Sequence, residues 1–431
     1  MTSHYEKVLR DPVYGNLTIP WPVLLDLVDS PEFQRLRNVR QLGMCFTTFH
    51  GAEHSRFQHA LGVMWLMYRV LDLWQKNGLA DMALAERQAA CAAALLHDLG
   101  HGPFSHALER VFSGVDHEVL GRQIVRSRLA PILSRHGVDP EAVVAIMEGT
   151  YPRPVFHELL ASQLDVDRMD YLQRDSLYTG VKYGLFDIER ILHTLVPMHD
   201  DTLYLAVDYK GTQAVEEFLF SRYFMHWQVY LHRTVRSAEL LLRVVLERAQ
   251  EVFSEDRDKL KVPANLLFLF ERQTISPERF LEGFLGMDDF DFFNAIKLWK
   301  QSSDPLLADL ARRLAERRLF KVLRHPGEGE ELERIRALVE AEFGADWRYY
   351  LREDRPGETA FGVYHPGSGN PIRVLIRPPN QWKEITEVTR TDAILALGQK
   401  SGGGFLMVAP ECREGAFAVL HPSMEEVTRR S

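Results

Sequence analysis

Apolar residues recur at three- and four-residue spacing through most of this chain, and this spacing limits its fold more than any other feature. The pattern runs from about residue 20 to 300 and is clearest in VLLDLVDSPEFQRLRNV, ALGVMWLMYRVLDLW and AERQAACAAALLH. Side chains at this spacing share one face of an α-helix, so each segment is expected to bury that face against its neighbours. The sequence therefore predicts a mainly α-helical bundle.

Patterns typical of β-strands are confined to a few short segments. DPVYGNLTI near the start and TLYLAVDYK around Leu203 are predicted as short strands or hairpin arms. Beyond about residue 340, AFGVYHP, PIRVLIRPP and GGGFLMVAP are rich in β-branched or aromatic residues and are interrupted by Gly and Pro. We expect residues 1–330 to form the helical domain and 331–431 a small α+β C-terminal lobe.

Composition excludes several classes of protein. The chain has three widely spaced cysteines and no CxxC pair, which argues against a disulfide framework or a thiolate zinc site. The start has no apolar signal region and no long apolar run follows it, so we expect a cytoplasmic protein outside the membrane. The formal charge of −9 argues against a general nucleic-acid-binding surface, although local basic patches remain open.

The segment AALLHDLGHGPFSH is the strongest motif. An apolar helix is predicted to end in the adjacent pair His97 and Asp98 before a glycine-rich turn. One imidazole and one carboxylate on a rigid element suit a divalent metal of intermediate softness. A capped helix end with a hydrogen-bonded core histidine is the alternative, but His59, in the first turn of another strongly apolar helix, is a second unusual polar residue.

A third segment, ASQLDVDRMDYLQRDSLYTG, carries several acidic residues on a predicted amphipathic helix. Asp167, Asp170, Tyr171 and Arg174 follow at helical spacing and share one face. Such a stripe can face water. Because apolar residues crowd the other positions, we expect the stripe to line a cleft.

The order of these segments resembles that of the HD superfamily. The chain from Asp11 to about Arg236 is similar to the HD-domain deoxynucleoside triphosphate triphosphohydrolases, especially the vertebrate enzymes that also carry a SAM domain and their bacterial relatives; the SAM domain itself is absent. The shared segments, in order, are DPVYG, SPEFQRLRNVRQLG, SRFQHALGV, LLHDLGHGPFSH, DHE and DVDRMDY.

The resemblance implies a metal and a catalytic set. The implied metal ligands are His59, His97, Asp98 and Asp167, and the metal is left open among Mn, Fe, Mg, Zn and Ni. By the same resemblance, His101, His106 and His117 face the triphosphate. His106 is the candidate that protonates the leaving 5′ oxygen, supported by Glu118 or a neighbouring carboxylate.

The resemblance also implies a deoxynucleotide pocket. A long helix predicted from about Val215 to Val252 carries Arg222, His226, Tyr230 and Arg233 on one face; a solvated stripe is the alternative. Gln41 and Asp175 are expected to hold the 3′ hydroxyl. The remaining pocket residues are Leu42, Tyr171 and Tyr230 around the sugar, with Arg56, Arg168, Arg222 and His226 as further contacts.

An N-terminal regulatory segment is the last implication. Lys7, Val8, Asp29, Gln34 and Arg37 match an activator site at which a guanine nucleotide joins subunits in the relatives. The alternative makes Asp29 a helix N-cap and leaves Gln34 and Arg37 as ordinary exposed positions. The expected activator is GTP or a dNTP, and the expected active form is a homo-oligomer, a dimer or tetramer. At a second activator site the match is loose, because Arg10, Val196 and Val207 depart from the relatives.

Three functions follow from these patterns. The first is hydrolysis of dNTPs to deoxynucleoside and inorganic triphosphate. The second keeps the HD centre but acts on another nucleotide or on a nucleic-acid phosphate ester. The third is a nucleotide-sensing scaffold, which would not need His59, His97, Asp98 and Asp167 to be intact.

Overall fold

A computed structural model describes residues 7–112, 116–355, 364, 370–377, 381–391, 393–397 and 404–421. These begin with an antiparallel hairpin of β1 (Lys7–Asp11) and β2 (Gly15–Ile19). Asp11 shapes the turn, because its Oδ1 accepts hydrogen bonds from the backbone N–H groups of Val13 and Tyr14 at 2.9 and 3.0 Å. The predicted strand arm near the start is therefore a hairpin.

A helical bundle follows the hairpin. Its α-helices are α1 (Pro22–Val28), α2 (Pro31–Gln34), α3 (Arg56–Lys76), α4 (Leu84–Leu96), α5 (Ser105–Val111), α6 (His117–Ile124), α7 (Ala130–Arg135), α8 (Pro140–Glu148), α9 (Pro154–Leu160), α10 (Val166–Thr179) and α11 (Ile188–Thr194). The long helix α3 packs between α4 and α10. Residues 89–96 of α4 are all buried, and its alanines allow α3 to approach closely.

The chain then adds two strands and a second set of helices. These elements are β3 (Leu195–His199), β4 (Leu203–Asp208), α12 (Thr212–Met225), α13 (Arg233–Glu255), α14 (Leu267–Phe270), α15 (Pro277–Gly286), α16 (Asp289–Trp299) and α17 (Pro305–Ala315). Most buried apolar residues of the described chain belong to one core that extends from the bundle into these helices. The site-bearing helices are thus fixed by a common core.

The single helix predicted from Val215 to Val252 is wrong. Helix α12 ends at Met225, a π turn spans residues 226–230, and α13 begins at Arg233. The Leu231 N–H bonds to His226 O, five residues back, and His232 Nδ1 accepts from the Thr234 N–H at 3.2 Å. The π turn widens the helix and the histidine cap starts a new one, which apolar spacing alone does not reveal.

The remaining described elements combine short helices with strands. They are β5 (Lys321–Arg324), α18 (Glu330–Phe343), α19 (Trp347–Tyr350), β6 (Leu351–Asp354), β7 (Arg373–Ile376), β8 (Gln381–Glu384), α20 (Ile385–Val388), α21 (Ala393–Leu397), β9 (Phe405–Val408) and α22 (Arg413–Leu420). One sheet has the order β3-β4-β7-β8, with β4 and β7 parallel, and another has the antiparallel order β5-β9-β6. Both sheets join strands from either side of residue 330.

The mainly α fold with small sheets is confirmed. Strands form at TLYLAVDYK, PIRVLIRPP and GGGFLMVAP, whereas most of AFGVYHP lies outside the described residues. Within the described chain, no helix combines the length and apolarity required to cross a bilayer.

Candidate metal centre and adjoining pocket

His59 is the most deeply buried of the expected metal ligands. It lies in the first turn of α3 and is 1% exposed. Its Nδ1 is 2.8 Å from Asp170 Oδ2, while its Nε2 is 3.0 Å from Asp167 Oδ1 and 3.7 Å from Asp98 Oδ2. When Nδ1–H donates to Asp170, the lone pair lies on Nε2, where a metal would bind.

His97 follows the last residue of α4 and is oriented in the same way. Its Nδ1 lies 2.9 Å from the carbonyl oxygen of Ala94, so Nδ1 donates. Its Nε2 is 3.4 Å from Asp98 Oδ1 and 3.5 Å from Asp167 Oδ1. This buried Nε2 has no hydrogen-bond partner among the described residues. A buried lone pair facing two carboxylates is the donor that a divalent cation requires.

We call His59, His97, Asp98 and Asp167 the metal cluster. Burial lowers the pKa of His59, but hydrogen bonds to Asp167 and Asp170 raise it to about 10. Burial raises the pKa of Asp167, yet the adjacent rings of His59 and His97 hold it well below its usual value. Carboxylate charge is therefore concentrated around the two imidazoles, and a divalent metal would neutralise it. The residues fit such an ion.

Asp170 and Arg174 are not part of a cleft lining. Only Asp167 of the predicted stripe is partly exposed, with 27% of its side chain accessible, whereas the Asp170 and Arg174 side chains are fully buried. Arg174 forms two hydrogen bonds with Asp170 at 2.8 and 2.9 Å and a third with Asp11 at 2.8 Å. Asp167 therefore lies at the cluster, whereas Asp170 and Arg174 form a buried ion pair.

The glycine-rich turn after the metal cluster packs against α6. A Cβ on Gly100 would lie 1.9 Å from His117 O and 2.4 Å from Gly121 N, so only glycine fits. This contact places the His101 ring on the His117 ring, with centroids 4.0 Å apart and planes inclined by 17°. His101 Nε2 is also 3.4 Å from Asp98 Oδ1. The turn thus brings the two histidines to the edge of the metal cluster.

Glu118, or a neighbouring carboxylate, is the expected support of His106. The Glu118 side chain is 71% exposed and lies 3.4 Å from Arg122. The carboxylate that pairs with His117 is that of Glu109, with Oε1 2.7 Å from His117 Nδ1. Burial lowers the pKa of His117 and the Glu109 hydrogen bond raises it, with a net increase. The His106 side chain lies outside the described residues.

His101 and His117, which we call the histidine pair, form a second group together with Glu109. Their ligand atoms also lie within 4.8 Å of one another, as do those of His59, His97 and Asp98. Burial, followed by the charge of Arg56, holds the pKa of His101 well below its usual value. The ring therefore stays neutral beside a guanidinium group.

Asp175 is fully buried and both of its oxygens are engaged. His54 Nε2 lies 2.7 Å from Oδ1, and the Tyr230 hydroxyl donates to Oδ2 at 2.7 Å. The His54 ring stacks on Tyr178, with centroids 4.5 Å apart. His54 was missed by the sequence analysis, although its place five residues before His59 offered a signal.

The tyrosines connect Asp175 to the metal cluster. Tyr171 lies between His59 and Tyr230, with ring centroids 6.4 and 6.0 Å away. Gln41 and Leu42 are each 9% exposed. The Gln41 backbone N–H bonds to the His54 carbonyl oxygen at 3.0 Å. The expected sugar-binding residues therefore adjoin one another beside the cluster.

The half-buried Arg168 and the buried Arg222 form the basic part of the site. Arg168 pairs with Asp165, and Arg222 donates to Gln163 Oε1 at 2.8 Å. Burial, followed by the charge of Arg168, lowers the pKa of Arg222 to about 10. His226 is also buried, at 6% exposure, one helical turn after Arg222. Two close guanidinium groups, one of them buried, favour an anionic ligand.

A further buried guanidinium group, that of Arg56, contacts the metal cluster. It is 8% exposed, and its Nη1 donates to Asp98 Oδ2 at 2.5 Å. Burial raises the pKa of Asp98, but Arg56 and His97 hold it well below its usual value. Asp98 therefore remains a carboxylate.

The expected regulatory residues lie on two exposed segments. Lys7 and Val8 are exposed on β1. Asp29 ends α1, and Ser30 rather than Asp29 caps the next helix, so the N-cap alternative is wrong. Gln34 accepts a hydrogen bond of 2.7 Å from Arg37 Nε.

Similarity to known proteins agrees with this arrangement. The HD domain model matches residues 56–175, which include the metal cluster, and the HD associated region matches 186–265. The chain is 38% identical to YwfO of Bacillus subtilis over 398 residues, covering 90% of this chain and 88% of that protein. It is 28% identical to the deoxynucleoside triphosphate triphosphohydrolase SAMHD1 of Gallus gallus over 300 residues. This match covers 61% of this chain and 48% of that protein.

A solved structure has the same fold over nearly its whole length. It is a phosphohydrolase from Bacteroides thetaiotaomicron, 32% identical, with a TM-score of 0.83 and coverage of 94% of this chain and 99% of that one. The fold, the cluster and these relatives together place the chain in the HD-domain family of phosphohydrolases, as its sequence motifs predict.

Proposed function

We propose that this protein hydrolyses dNTPs to deoxynucleoside and inorganic triphosphate. The observation that carries the proposal is the order of groups around the metal cluster. Asp175 and its tyrosine partner lie on one side, connected through Tyr171, and Arg168 and Arg222 supply positive charge. This order suits a sugar, an α-phosphate and a polyphosphate tail.

The reaction requires charge neutralisation, an activated water and a proton for the leaving oxygen. A divalent metal held by the metal cluster would neutralise phosphoryl charge and activate the water. His101 and His117 contact the triphosphate, and Glu109 orients His117 through its 2.7 Å hydrogen bond. His106 donates the proton to the departing 5′ oxygen.

The pocket selects a deoxyribose. Gln41 and Asp175 hold the 3′ hydroxyl, while Leu42, Tyr171 and Tyr230 surround the sugar and leave little space for a 2′ hydroxyl. Both oxygens of Asp175 are already hydrogen-bonded, so they are fixed before substrate arrives. Arg56, Arg168, Arg222 and His226 bind the phosphates.

Activation involves the N-terminal segment. We assign Lys7, Val8, Asp29, Gln34 and Arg37 to a site for GTP or a dNTP that joins subunits into a dimer or tetramer. The exposure of Lys7, Val8, Asp29 and Arg37 supports this assignment. Residues 1–330 and 331–431 as separate units, and a cytoplasmic location, stay predictions.

The decisive experiment incubates the purified protein with Mn²⁺ and each dNTP, with and without GTP, and separates products by anion-exchange chromatography. Deoxynucleoside with intact triphosphate supports the proposal, and stimulation by GTP supports the activator site. Matched NTPs test selection against the 2′ hydroxyl. Release of monophosphate or diphosphate, or no turnover with any dNTP in either condition, would favour another phosphate ester.

A further inference from the structure

The N-terminal hairpin is joined to the metal cluster by buried charged side chains that the proposed reaction does not use. The first link is Asp11, at the end of β1 and 8% exposed. Its Oδ1 shapes the hairpin turn, which leaves Oδ2 to accept from Arg174 Nη1 at 2.8 Å. One carboxylate therefore serves the hairpin with one oxygen and the bundle with the other.

The second link is the bidentate pair of Arg174 and Asp170. Arg174 Nε and Nη2 donate to Asp170 Oδ2 and Oδ1 at 2.8 and 2.9 Å, and both side chains are fully buried. Planar bidentate pairs fix orientation as well as charge. Asp170 Oδ2 also lies 2.8 Å from His59 Nδ1, so this series of contacts ends on a residue of the metal cluster.

Packing leaves this relay little freedom. Gly62, on α3 one turn after His59, passes so close that a Cβ there would lie 1.8 Å from Asp170 Oδ1 and 2.6 Å from Arg174 Nη2. The Arg174 guanidinium carbon Cζ lies 5.8 Å from the centroid of the Tyr14 ring. Because these side chains are closely packed, a shift of Asp11 is expected to move Arg174 and Asp170 as well.

We propose that Asp11, Arg174 and Asp170 are positioning residues through which the N-terminal hairpin sets the metal affinity of the cluster. The inference rests on the metal centre of the proposed function. It adds a route by which a ligand on the hairpin, where Lys7 and Val8 lie, changes the site: movement of β1 alters the acceptor strength of Asp170 and so the donor strength of His59 Nε2.

Metal affinity tests this relay independently of turnover. Protein stripped with chelator is titrated with Mn²⁺ by equilibrium dialysis, and bound metal is measured by mass spectrometry. Asp170→Asn is expected to weaken binding by about 10- to 100-fold. Asp11→Asn, which keeps an oxygen for the hairpin turn, is expected to weaken it on the order of fivefold.

A matched control and a double variant separate the relay from general damage. Glu189→Gln breaks a bidentate pair with Arg69, at 2.6 and 2.7 Å, outside the relay, and should leave Mn²⁺ affinity within about twofold. In the Asp170→Asn background, Asp11→Asn should have no further effect. Asp11→Glu, which retains the carboxylate, should restore most of the affinity. Circular dichroism and thermal unfolding check each fold, and Arg174→Lys replaces any variant that does not fold.

The outcomes distinguish the two proposals. A wild-type protein that binds no Mn²⁺ or other divalent metal would overturn the metal centre and this inference with it. Wild-type binding with an unaltered affinity in Asp11→Asn would overturn the relay alone. An Asp11→Asn effect that persists without Asp170 would show that the hairpin acts by another path.

Discussion

The metal cluster and the histidine pair use the same residue types side by side, yet their hydrogen bonds differ. In the metal cluster, the Nδ1 atoms of His59 and His97 face supporting acceptors, and their Nε2 atoms converge on carboxylates. In the histidine pair, His117 directs Nδ1 to Glu109 and stacks its ring on His101. The first arrangement presents lone pairs to a cation, and the second holds a proton beside a carboxylate.

This difference separates binding a metal from handling a proton. The residues of the cluster lie on the buried helices α3 and α10 or directly after α4, so its geometry is fixed by the core. The histidine pair depends on the contact between Gly100 and α6. Removal of a carboxylate should therefore have different consequences in the two places.

The largest expected effect is that of Asp167→Asn. This change removes a carboxylate that faces both His59 and His97, so the protein should lose its bound metal and its turnover should fall by roughly 10³-fold or more. Metal content by mass spectrometry and kcat for dNTP hydrolysis measure the two losses. Glu141→Gln, at an exposed pair with Arg126, serves as the control. Retention of metal and activity in Asp167→Asn would remove this residue from the cluster.

Glu109→Gln should separate the two groups. Its metal content should stay at the wild-type level, while kcat falls by about 10²-fold because His117 loses its orienting carboxylate. The same measurements apply, and Glu118→Gln is the comparison on the adjacent helix. Loss of metal from Glu109→Gln would show that the histidine pair is part of the metal site. An equal fall in kcat for Glu118→Gln would contradict the assignment of Glu109 as the carboxylate that orients His117.

Gly100→Ala should weaken the histidine pair through packing. A Cβ 1.9 Å from His117 O must push the turn away from α6, at a cost of about 1–3 kcal/mol in the free energy of unfolding. Separation of His101 from His117 should also lower kcat by roughly tenfold. Gly286→Ala is the matched control, because a Cβ there meets nothing within 4 Å. Denaturant unfolding and steady-state kinetics give the two values, and wild-type behaviour of Gly100→Ala would contradict the tight contact.

Helical spacing, a local signal, predicted the helical fold, and the family resemblance carried by the ordered motifs implied the four residues that converge in the metal cluster. Sequence analysis named Glu118 or a neighbouring carboxylate as the support of His106 and did not identify Glu109 as the partner of His117. Adjacent residues on a helix point in different directions, so Glu118 could not share the orientation of His117. Glu109 approaches His117 from another helix, which is a tertiary contact.

The same limit explains the other differences. Asp170 and Arg174 fit a polar stripe by spacing, but their partners Asp11 and His59 lie more than 100 residues away in the chain. The π turn at residues 226–230 preserves a helix-like apolar pattern while ending α12. Local periodicity therefore predicts which residues lie on helices but not which buried charges meet.

The smallest expected effect is a change in the pH dependence of the free energy of unfolding, caused by the proton on His117. The pKa of His117 is raised above its unfolded value of about 6.5, against the effect of burial, by Glu109. The proton therefore stabilises the folded state fully below about pH 6.5, and this contribution is lost as pH rises through the raised pKa. Glu109→Gln should thus lose more unfolding free energy at pH 6 than at pH 8.5, as measured by urea denaturation. An equal loss at both values would mean that the carboxylate acts on His117 by packing rather than by charge.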